Sequence, residues 1–282
     1  MLPTELNCSF YGFNYPLEEA ELLIFGIPYF EKSYGGKTSV SSTSFLRILS
    51  RYVEDNYVDD EGYYSSLKIR DIGDLQSSNE EDIELDIASI TRFAMKTGKK
   101  LLMIGGSHMY TYYMVRSLKP SIMVVFDAHL DLKKRLMGHE FSHATYLRRI
   151  IEEKLVDKIL VIGSRAYEEE EAGYGSEKKV FRIDELSEIR KWIMEVDISG
   201  NETYVSIDLD HLDPSHMPHV TNPEPLGLHP WETFKIFSYI RESNLDIVGG
   251  DVVEYSPYTL EIHPGVLASR ICLELARTIL KM

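Results

Sequence analysis

Short apolar runs recur along the chain, and each of them ends in glycine or in polar residues. The runs are rich in β-branched side chains and are apolar at nearly every position, not only at every second one. Strands that are buried on both faces of a sheet have this character. We therefore predict six strands, over residues 22–25, 101–104, 122–126, 159–162, 204–207 and 247–253.

Between these runs, apolar residues recur at the spacing of an α-helix. The clearest example covers residues 83–94, with Asn79 placed to cap the start of the helix and Gly98 placed to end it. The same spacing predicts two further helices, one over residues 231–240 and one over residues 267–279.

The alternation of strands and helices predicts the fold class. It is typical of a largely parallel sheet that helices cover on both faces, which is a three-layer α/β/α architecture. Ligands of such sheets collect beyond the carboxyl ends of the strands. We expect residues 1–282 to form a single domain, and we expect the acidic, tyrosine-rich segment 54–66 to be an exposed excursion from it.

The charge of the chain limits its partners. The formal net charge of the 282 residues is -15 at pH 7. A phosphate backbone would be repelled by such a surface, so we do not expect a nucleic-acid partner. A small cationic substrate would be attracted, but an acidic surface more often serves solubility alone. The charge therefore supports a cationic substrate only weakly.

Cysteine usage and the N-terminal sequence bear on the compartment. Cys8 and Cys272 cannot form a disulfide framework, and neither has the spacing of a metal ligand. Residues 1–16 lack the basic start and apolar run of a signal peptide, and no apolar stretch is long enough to cross a bilayer. We expect a cytoplasmic protein without a membrane partner.

Candidate chemistry begins where the run 122–126 continues as DAHLD. Asp127, His129 and Asp131 occupy every second position, so they share one side of the chain if the backbone stays extended. Buried carboxylates and an imidazole need a compensating charge, because unpaired buried charge is costly. A divalent ion supplies it. A salt-bridged turn with His129 as a core histidine explains this segment, taken alone, about equally well.

Two further segments carry the same residue types. Asp208 and Asp210 follow the run 204–207, and the apolar neighbours of Asp208 argue against a freely solvated acidic loop. His108 follows a glycine pair after the run 101–104, near the first turn of a predicted helix. A lone histidine is more often structural than a ligand, but this one is expected at the same edge of the sheet as the aspartates.

Together the three segments supply two histidines and four aspartates. Nitrogen and oxygen ligands suit Mn²⁺ better than a structural Zn²⁺ site, which favours thiolates. Two ions that share carboxylates lie close together, and a water that they share loses a proton near neutral pH. The residues therefore point to a hydrolytic centre with two metal ions.

The ordered motifs resemble those of the arginase/agmatinase family, most closely its agmatinase branch. IFGIPY near the N-terminus and RDIGDL at residues 70–75 extend the resemblance over most of the chain. The resemblance implies a three-layer α/β fold, two Mn²⁺ per chain, urea as a product, and a homo-oligomer that is a trimer or hexamer. The main motifs are GGSHM, FDAHLD, SHATYLRRI, SIDLDHLDP and GGDVVEYSP.

The resemblance also implies roles for matching residues. His143 resembles a histidine that shuttles protons and contacts the substrate, and Glu254 resembles the carboxylate that pairs with the guanidinium. Asp131 resembles a ligand that also accepts a hydrogen bond from the nucleophilic hydroxide. The implied ligands of one ion are His108, Asp127, Asp131 and Asp208, and those of the other are His129, Asp127, Asp208 and Asp210, so that Asp127 and Asp208 bridge.

Three places depart from the usual family pattern. Ser107 stands where the GGDHS motif has aspartate, which alters the surroundings of His108 without removing a ligand. Residues 219–222 read HVTN where a Gly/Thr-rich turn is usual, so the way in which the guanidinium end is held differs. Residues 37–47 read KTSVSSTSFLR where an Arg/Gly/Pro-containing loop is usual.

One apparent nucleotide motif is misleading. Gly36, Lys37 and Thr38 imitate the end of a phosphate-binding loop, but Glu31 holds the position of its first glycine. A carboxylate there would oppose phosphate, so we do not expect nucleotide binding.

The leading functional hypothesis is hydrolysis of agmatine to urea and putrescine, a reaction of polyamine biosynthesis. Residues 168–171 offer negative charge for the second amine of agmatine. An arginase would place neutral polar donors just beyond Asp131, where Leu132, Lys133 and Lys134 stand instead. Lys133 could itself meet a carboxylate, however, so this evidence is modest.

Several alternatives remain at this point. Arginase, guanidino-acid hydrolase and formimidoylglutamate hydrolase activities differ in the pocket for the substrate tail, whose shape the sequence does not give. A metal-binding protein without turnover is the alternative from another class. The departures at Ser107 and at residues 219–222 motivate it, whereas the presence of His143 and Glu254 argues against it.

Overall fold

A central sheet is the main feature of the computed structural model, which describes residues 3–5, 8–29, 42–59, 61–76, 79–178, 180–196, 201–259 and 261–282. In these residues the strands are β1 (Thr4–Glu5), β2 (Leu22–Gly26), β3 (Ile69–Leu75), β4 (Lys100–Ile104), β5 (Ile122–Phe126), β6 (Lys158–Ile162), β7 (Val180–Arg182), β8 (Glu202–Asp208) and β9 (Asp246–Val253). Their order is β1-β3-β2-β4-β9-β8-β5-β6-β7. β1 is antiparallel to β3, and the other neighbouring strands are parallel.

Helices pack on both faces of this sheet. They are α1 (Ser42–Leu49), α2 (Glu80–Thr97), α3 (Tyr110–Leu118), α4 (Tyr146–Glu152), α5 (Glu169–Glu177), α6 (Leu186–Glu195), α7 (Pro230–Glu242) and α8 (Ile262–Leu280). The predicted ends of α2 are confirmed: the side chain of Asn79 accepts a hydrogen bond from the N–H of Asp82, and Gly98 adopts the left-handed conformation that ends the helix.

The apolar strands explain the three layers. Successive side chains of a strand point to opposite faces, so Leu101 and Leu102 of β4 enter different buried clusters. Leu102 belongs to the cluster that contains Ile271 of α8 and Phe237 of α7, and Leu101 belongs to the cluster that contains Ile87 of α2. The three-layer α/β/α fold predicted from the sequence is therefore confirmed.

Four neighbouring strands end at the same level of the sheet. Ile104 of β4 pairs with Val252 of β9, Val252 pairs with Ile207 of β8, and Ile207 pairs with Phe126 of β5. Because these strands are parallel, the residues that follow them emerge side by side at one edge. This register positions the site described below.

The six predicted strands are confirmed within one or two residues at their ends, whereas β1, β3 and β7 were not predicted. Most described residues of segment 54–66 are exposed, as expected, but two of its tyrosines are not. Tyr57 and Tyr64 are buried in the core, and the hydroxyl of Tyr64 donates a hydrogen bond to Oε1 of Glu274 at 2.6 Å. Aromatic side chains therefore anchor this acidic segment against α8.

Some sequence features lie outside the described residues. These are Glu31, Gly36, Lys37 and Thr38 of the apparent nucleotide motif, together with the rest of residues 37–41. Residues 42–47 of the same unusual stretch form most of α1. Among the helices that the structure describes, none has both the length and the apolar character required to span a membrane.

Candidate metal centre

The aligned ends of the four central strands carry acidic residues and a histidine. Asp208 is the last residue of β8, Asp127 follows β5, and Glu254 follows β9. His108 lies in the loop between β4 and α3, two residues before the helix and therefore near its first turn, as expected. The topology therefore brings these residues, far apart in sequence, to one edge of the sheet.

The backbone after β5 stays extended only in part, so the condition under which Asp127, His129 and Asp131 share one side of the chain is not met throughout. His129 forms an isolated parallel bridge with Ala166, and Asp131 has a φ of 51°. Similarly, Asp210 lies in a 3₁₀ turn, Leu209–His211, that follows β8. The side chains converge nevertheless, but through these turns and not through the two-residue period of a strand.

A first group of candidate ligands surrounds His108. Its Nδ1 atom lies 3.2 Å from Oδ2 of Asp127, 3.1 Å from Oδ2 of Asp208 and 3.6 Å from Oδ2 of Asp131. Ligand atoms of His108, Asp127 and Asp131 lie within 4.8 Å of one another. One ion could contact all three side chains.

A second group shares one member with the first. Nδ1 of His129 lies 2.9 Å from Oδ2 of Asp210 and 3.6 Å from Oδ1 of Asp127. Asp127 therefore directs one carboxylate oxygen towards His108 and the other towards His129. A carboxylate in this position can bridge two ions.

The donor set fits divalent cations. Nδ1 of His108 is fully buried and has no hydrogen-bond partner among the described residues, although it lies close to three carboxylates. Five nearly buried carboxylates meet two imidazoles here, and such an excess of negative charge is costly without a cation. The carboxylates belong to Asp127, Asp131, Asp208, Asp210 and Glu254.

The pKa values of these side chains reflect the same crowding. Burial, followed by the charges of neighbouring carboxylates, raises the pKa values of Asp131 and Asp208 well above their usual range. Burial opposes protonation of His129, but Asp127 and Asp210 outweigh this effect and raise its pKa to about 12. Protons therefore offset part of the negative charge, and a divalent ion would replace them.

Side chains behind His108 hold its imidazole. Nε2 of His108 lies 2.9 Å from Oγ of Ser206, and the hydroxyl of Ser206 donates to Oδ1 of Asp251 at 2.6 Å. The ring of Tyr146 packs against His108 with a centroid distance of 4.2 Å. Sequence reasoning assigned no role to these three residues, although all of them lie within quoted motifs, namely SIDLDHLDP, GGDVVEYSP and SHATYLRRI.

Glu254 is held by hydrogen bonds to both of its carboxylate oxygens. Oε1 accepts the backbone N–H of His108 at 2.8 Å, and Oε2 accepts the hydroxyl of Thr221 at 2.6 Å. Burial raises the pKa of Glu254, whereas the charge of His143 and the bond from Thr221 oppose that increase. Thr221 was missed by sequence reasoning, although it lies in the unusual stretch 219–222.

Of the same stretch, Asn222 lines the cavity described below, whereas His219 and Val220 contact residues that follow β9. His219 is buried, and its Nε2 lies 2.9 Å from Oγ1 of Thr259. Val220 forms an isolated antiparallel bridge with Tyr255, next to Glu254. The unusual residues His219 and Val220 therefore pack against the segment that follows β9.

Ser107, the other departure from the family pattern near the site, is also buried. Its Oγ accepts the N–H of Met109 at 3.3 Å just before α3.

A cavity of about 350 Å³ opens over the candidate ligands. His143, in the short 3₁₀ turn His143–Thr145, lies on its wall together with Glu254. Charged residues lie further out, with Nζ of Lys133 2.7 Å from Oε1 of Glu168. The polar and charged residues that line this cavity include His129, Asp131, Lys133, His143, Glu168, Asp208, Asp210, Asn222, Glu224 and Glu254.

Comparisons with known proteins agree with this architecture. The model of the arginase family matches residues 20–277. An agmatinase from Pyrococcus horikoshii is 28% identical over 90% of each chain, and an N(1)-aminopropylagmatine ureohydrolase from Thermococcus kodakarensis is 28% identical over 90% of this chain and 89% of its own. The crystal structure of agmatine ureohydrolase from Thermoplasma volcanium superposes with a TM-score of 0.83 at 28% identity, covering 98% of this chain and 95% of that one.

Proposed function

Because this chain belongs to the arginase family, we propose that it hydrolyses the guanidinium group of agmatine to urea and putrescine with two Mn²⁺ per chain. The observation that carries the proposal is the pair of ligand groups that share Asp127, with Glu254 and His143 on the wall of the same cavity. A metal-binding protein without turnover would not require the last two residues in this position.

Each candidate ligand has a place in this proposal. His108 and Asp131 would hold one ion, His129 and Asp210 would hold the other, and Asp127 would bridge them. Asp208 is close to His108, and we assign it as the second bridging ligand. Two bound ions would lower the pKa of a shared water and so supply a nucleophile near neutral pH.

The remaining side chains act on the substrate. The carboxylate of Glu254 pairs with the guanidinium through two charge-assisted hydrogen bonds, which fixes the plane of the substrate. Its oxygens retain lone pairs for this purpose, because each of them accepts one hydrogen bond from the protein. His143 carries a proton from the nucleophile towards the departing amine, and Asp131 accepts a hydrogen bond from the nucleophile.

The outer cavity favours a substrate with a cationic tail. The ion pair between Lys133 and Glu168 neutralises the lysine that could otherwise meet a substrate carboxylate. Glu171, expected to offer negative charge, is buried and accepts backbone N–H groups of Leu132 and Glu168 instead. Glu224 is partly exposed on the cavity wall, and we assign it as the carboxylate that meets the second amine.

A longer cationic substrate, N(1)-aminopropylagmatine, is the second candidate. Glu168 and Glu224 both line the cavity that contains the candidate ligands, so carboxylates are available for the additional amine of a longer tail. A relative from Thermococcus kodakarensis that is 28% identical carries the name of this activity. Both candidates place the same guanidinium over the same ligands and differ only in the tail.

The deciding experiment is a urea assay after manganese loading. The panel contains agmatine, N(1)-aminopropylagmatine, arginine and 4-guanidinobutyrate, with release of formamide from formimidoylglutamate measured beside it. We expect the highest kcat/KM for one of the two cationic substrates. Preference for arginine or for an anionic tail would contradict the assignment of the tail pocket. No turnover of any compound by protein with two bound ions would support a binding protein instead.

We further propose that residues 1–282 act as one ureohydrolase domain in a cytoplasmic homo-oligomer. The family resemblance of the motifs supports a trimer or hexamer, and the two free thiols, Cys8 and Cys272, support a reducing compartment. Light scattering of the purified protein measures the first, and fractionation of cells measures the second.

A further inference from the structure

Arg165, which follows β6, makes an unusual set of hydrogen bonds. Arginine side chains in proteins commonly pair with carboxylates, but every hydrogen bond found for this guanidinium among the described residues ends on a main-chain carbonyl. The partners are the carbonyls of Gly163 at 2.9 Å, Asp210 at 2.9 Å, His211 at 3.3 Å, Leu212 at 3.3 Å, Glu224 at 2.7 Å and Pro225 at 2.9 Å.

These carbonyls belong to segments that carry the candidate site. Asp210 is a member of the second ligand group, and Glu224 lies on the outer cavity wall. The backbone of Arg165 contacts a third segment, because its N–H donates at 2.8 Å to the carbonyl of Ala128, between Asp127 and His129. One residue therefore ties together the segments that supply all three members of the second ligand group.

We propose that Arg165 is a positioning residue that sets the affinity of the second ion, the one assigned to Asp127, His129 and Asp210. The inference rests on the two-ion centre of the proposed function. Nη2 donates to the carbonyls of both Asp210 and Glu224, so a displacement of the segment around Glu224 is transmitted to Asp210 through one planar group.

The chemistry of the guanidinium explains why arginine occupies this position. It presents five N–H donors in a rigid plane, whereas lysine presents a single ammonium group on a flexible chain. A lysine would retain the positive charge near Asp210. Its single ammonium group could not donate to all the carbonyls that the three guanidinium nitrogens reach. Replacement by lysine therefore removes the hydrogen bonds that join the segments but keeps the positive charge, so the two contributions can be measured separately.

The test is a Mn²⁺ titration of chelator-treated protein, followed by calorimetry and by electron paramagnetic resonance. In Arg165→Lys we expect the first ion to bind within twofold of the parent affinity and the second ion to bind at least tenfold more weakly. The spin-coupled signal of the ion pair should decrease accordingly. Arg165→Gln, whose amide still donates two hydrogen bonds, is titrated in parallel and should show the same split between the two ions.

Arg182→Lys is the matched control. Arg182 lies near the same loop, donates to Oγ of Ser164 at 2.9 Å and stacks on Tyr167, but none of its hydrogen bonds reaches residues 210–225. Both affinities should be unchanged in this variant.

The outcomes separate this inference from the proposed function. Unchanged affinities in Arg165→Lys and Arg165→Gln would overturn the role of Arg165 while leaving the two-ion centre intact. Equal weakening of both ions, with a lower melting temperature, would indicate a general structural role and would also overturn it. A parent protein that binds only one ion would overturn the two-ion centre and this inference together.

Discussion

The backbone N–H of His108 donates a hydrogen bond of 2.8 Å to Oε1 of Glu254, so a candidate metal ligand and the candidate guanidinium anchor are joined directly. A second hydrogen bond joins the same two segments, because the N–H of Glu254 donates to the carbonyl of Gly106 at 2.9 Å. Glu254 has a φ of 62°, a left-handed backbone conformation that residues other than glycine adopt only at a cost in free energy. The backbone therefore fixes the carboxylate relative to the ligands before a substrate binds.

Glu254→Gln should leave manganese binding nearly intact and lower kcat/KM for agmatine at least a hundredfold, which corresponds to about 2.7 kcal/mol. A neutral amide cannot form two charge-assisted hydrogen bonds with a guanidinium. The glutamine can still accept the N–H of His108 and donate to Thr221, so we expect it to fold. Kinetics and a thermal melt check both statements, and a less stable variant with parent activity would contradict the assignment.

Thr221→Val should shift the acid limb of the kcat/KM profile to higher pH. The hydroxyl of Thr221 stabilises the charged form of Glu254, so its removal raises a pKa that burial has already raised. The active, ionised form of Glu254 then appears only at higher pH. Thr221→Ser keeps the hydroxyl and is the control. Identical pH profiles for the parent protein and Thr221→Val would argue against a link between this hydroxyl and catalysis.

His143→Ala should retain both metal ions and lose most of its turnover, because it removes a proton carrier and not a ligand. His139→Ala is a suitable control, since His139 is exposed on the neighbouring segment and belongs to neither ligand group. Metal content is measured by elemental analysis and turnover by urea release. Loss of both metals from folded His143→Ala protein would mean that the histidines have been assigned wrongly.

Crystals grown with Mn²⁺ should contain two anomalous peaks about 3.5 Å apart, the separation expected for ions that share carboxylates. One peak should lie among His108, Asp127 and Asp131, and the other among Asp127, His129 and Asp210. Full loading is confirmed beforehand by titration. A single fully occupied ion with Asp210 turned away would refute the two-ion arrangement.

The loss of folding stability on removal of the metal should increase as the pH rises. The pKa of His108 is raised to about 9, because the nearby aspartates outweigh the opposing effect of burial. Its protonation stabilises the metal-free fold fully below the ordinary pKa of 6.5, and this contribution disappears as the pH rises through about 9. Metal binding requires neutral imidazole and therefore strengthens over the same range.

The measurement is the difference in melting temperature between Mn²⁺-loaded and chelator-treated protein at a series of pH values from 6.5 to 9. We expect this difference to increase with pH. At a free-ion concentration of about 100 times the dissociation constant, one bound ion adds about 2.7 kcal/mol to the free energy of unfolding. A difference that stays constant or decreases would contradict the protonation of the metal-free ligands.

The sequence by itself determined the layers, most strands and the residue types of the centre. Continuous apolar runs can be satisfied only by strands with both faces covered, so the three-layer fold follows from local pattern. The location of the candidate site follows from it too, because Asp127 and Asp208 come at the ends of such runs. Tyr57 and Tyr64 were misjudged, because their acidic neighbours conceal a burial that depends on contact with α8.

Only the tertiary structure decided how the candidate ligands divide into two groups and which residues support them. The register of β4, β9, β8 and β5 places their ends side by side, and no local pattern specifies that order. Asp131 lies in the group of His108, whereas His129 lies with Asp210, and a two-residue period does not predict this division. The hydrogen-bond acceptors of Arg165 cannot be predicted from the sequence either. Every residue carries a backbone carbonyl, and only the fold determines which of them contact the guanidinium.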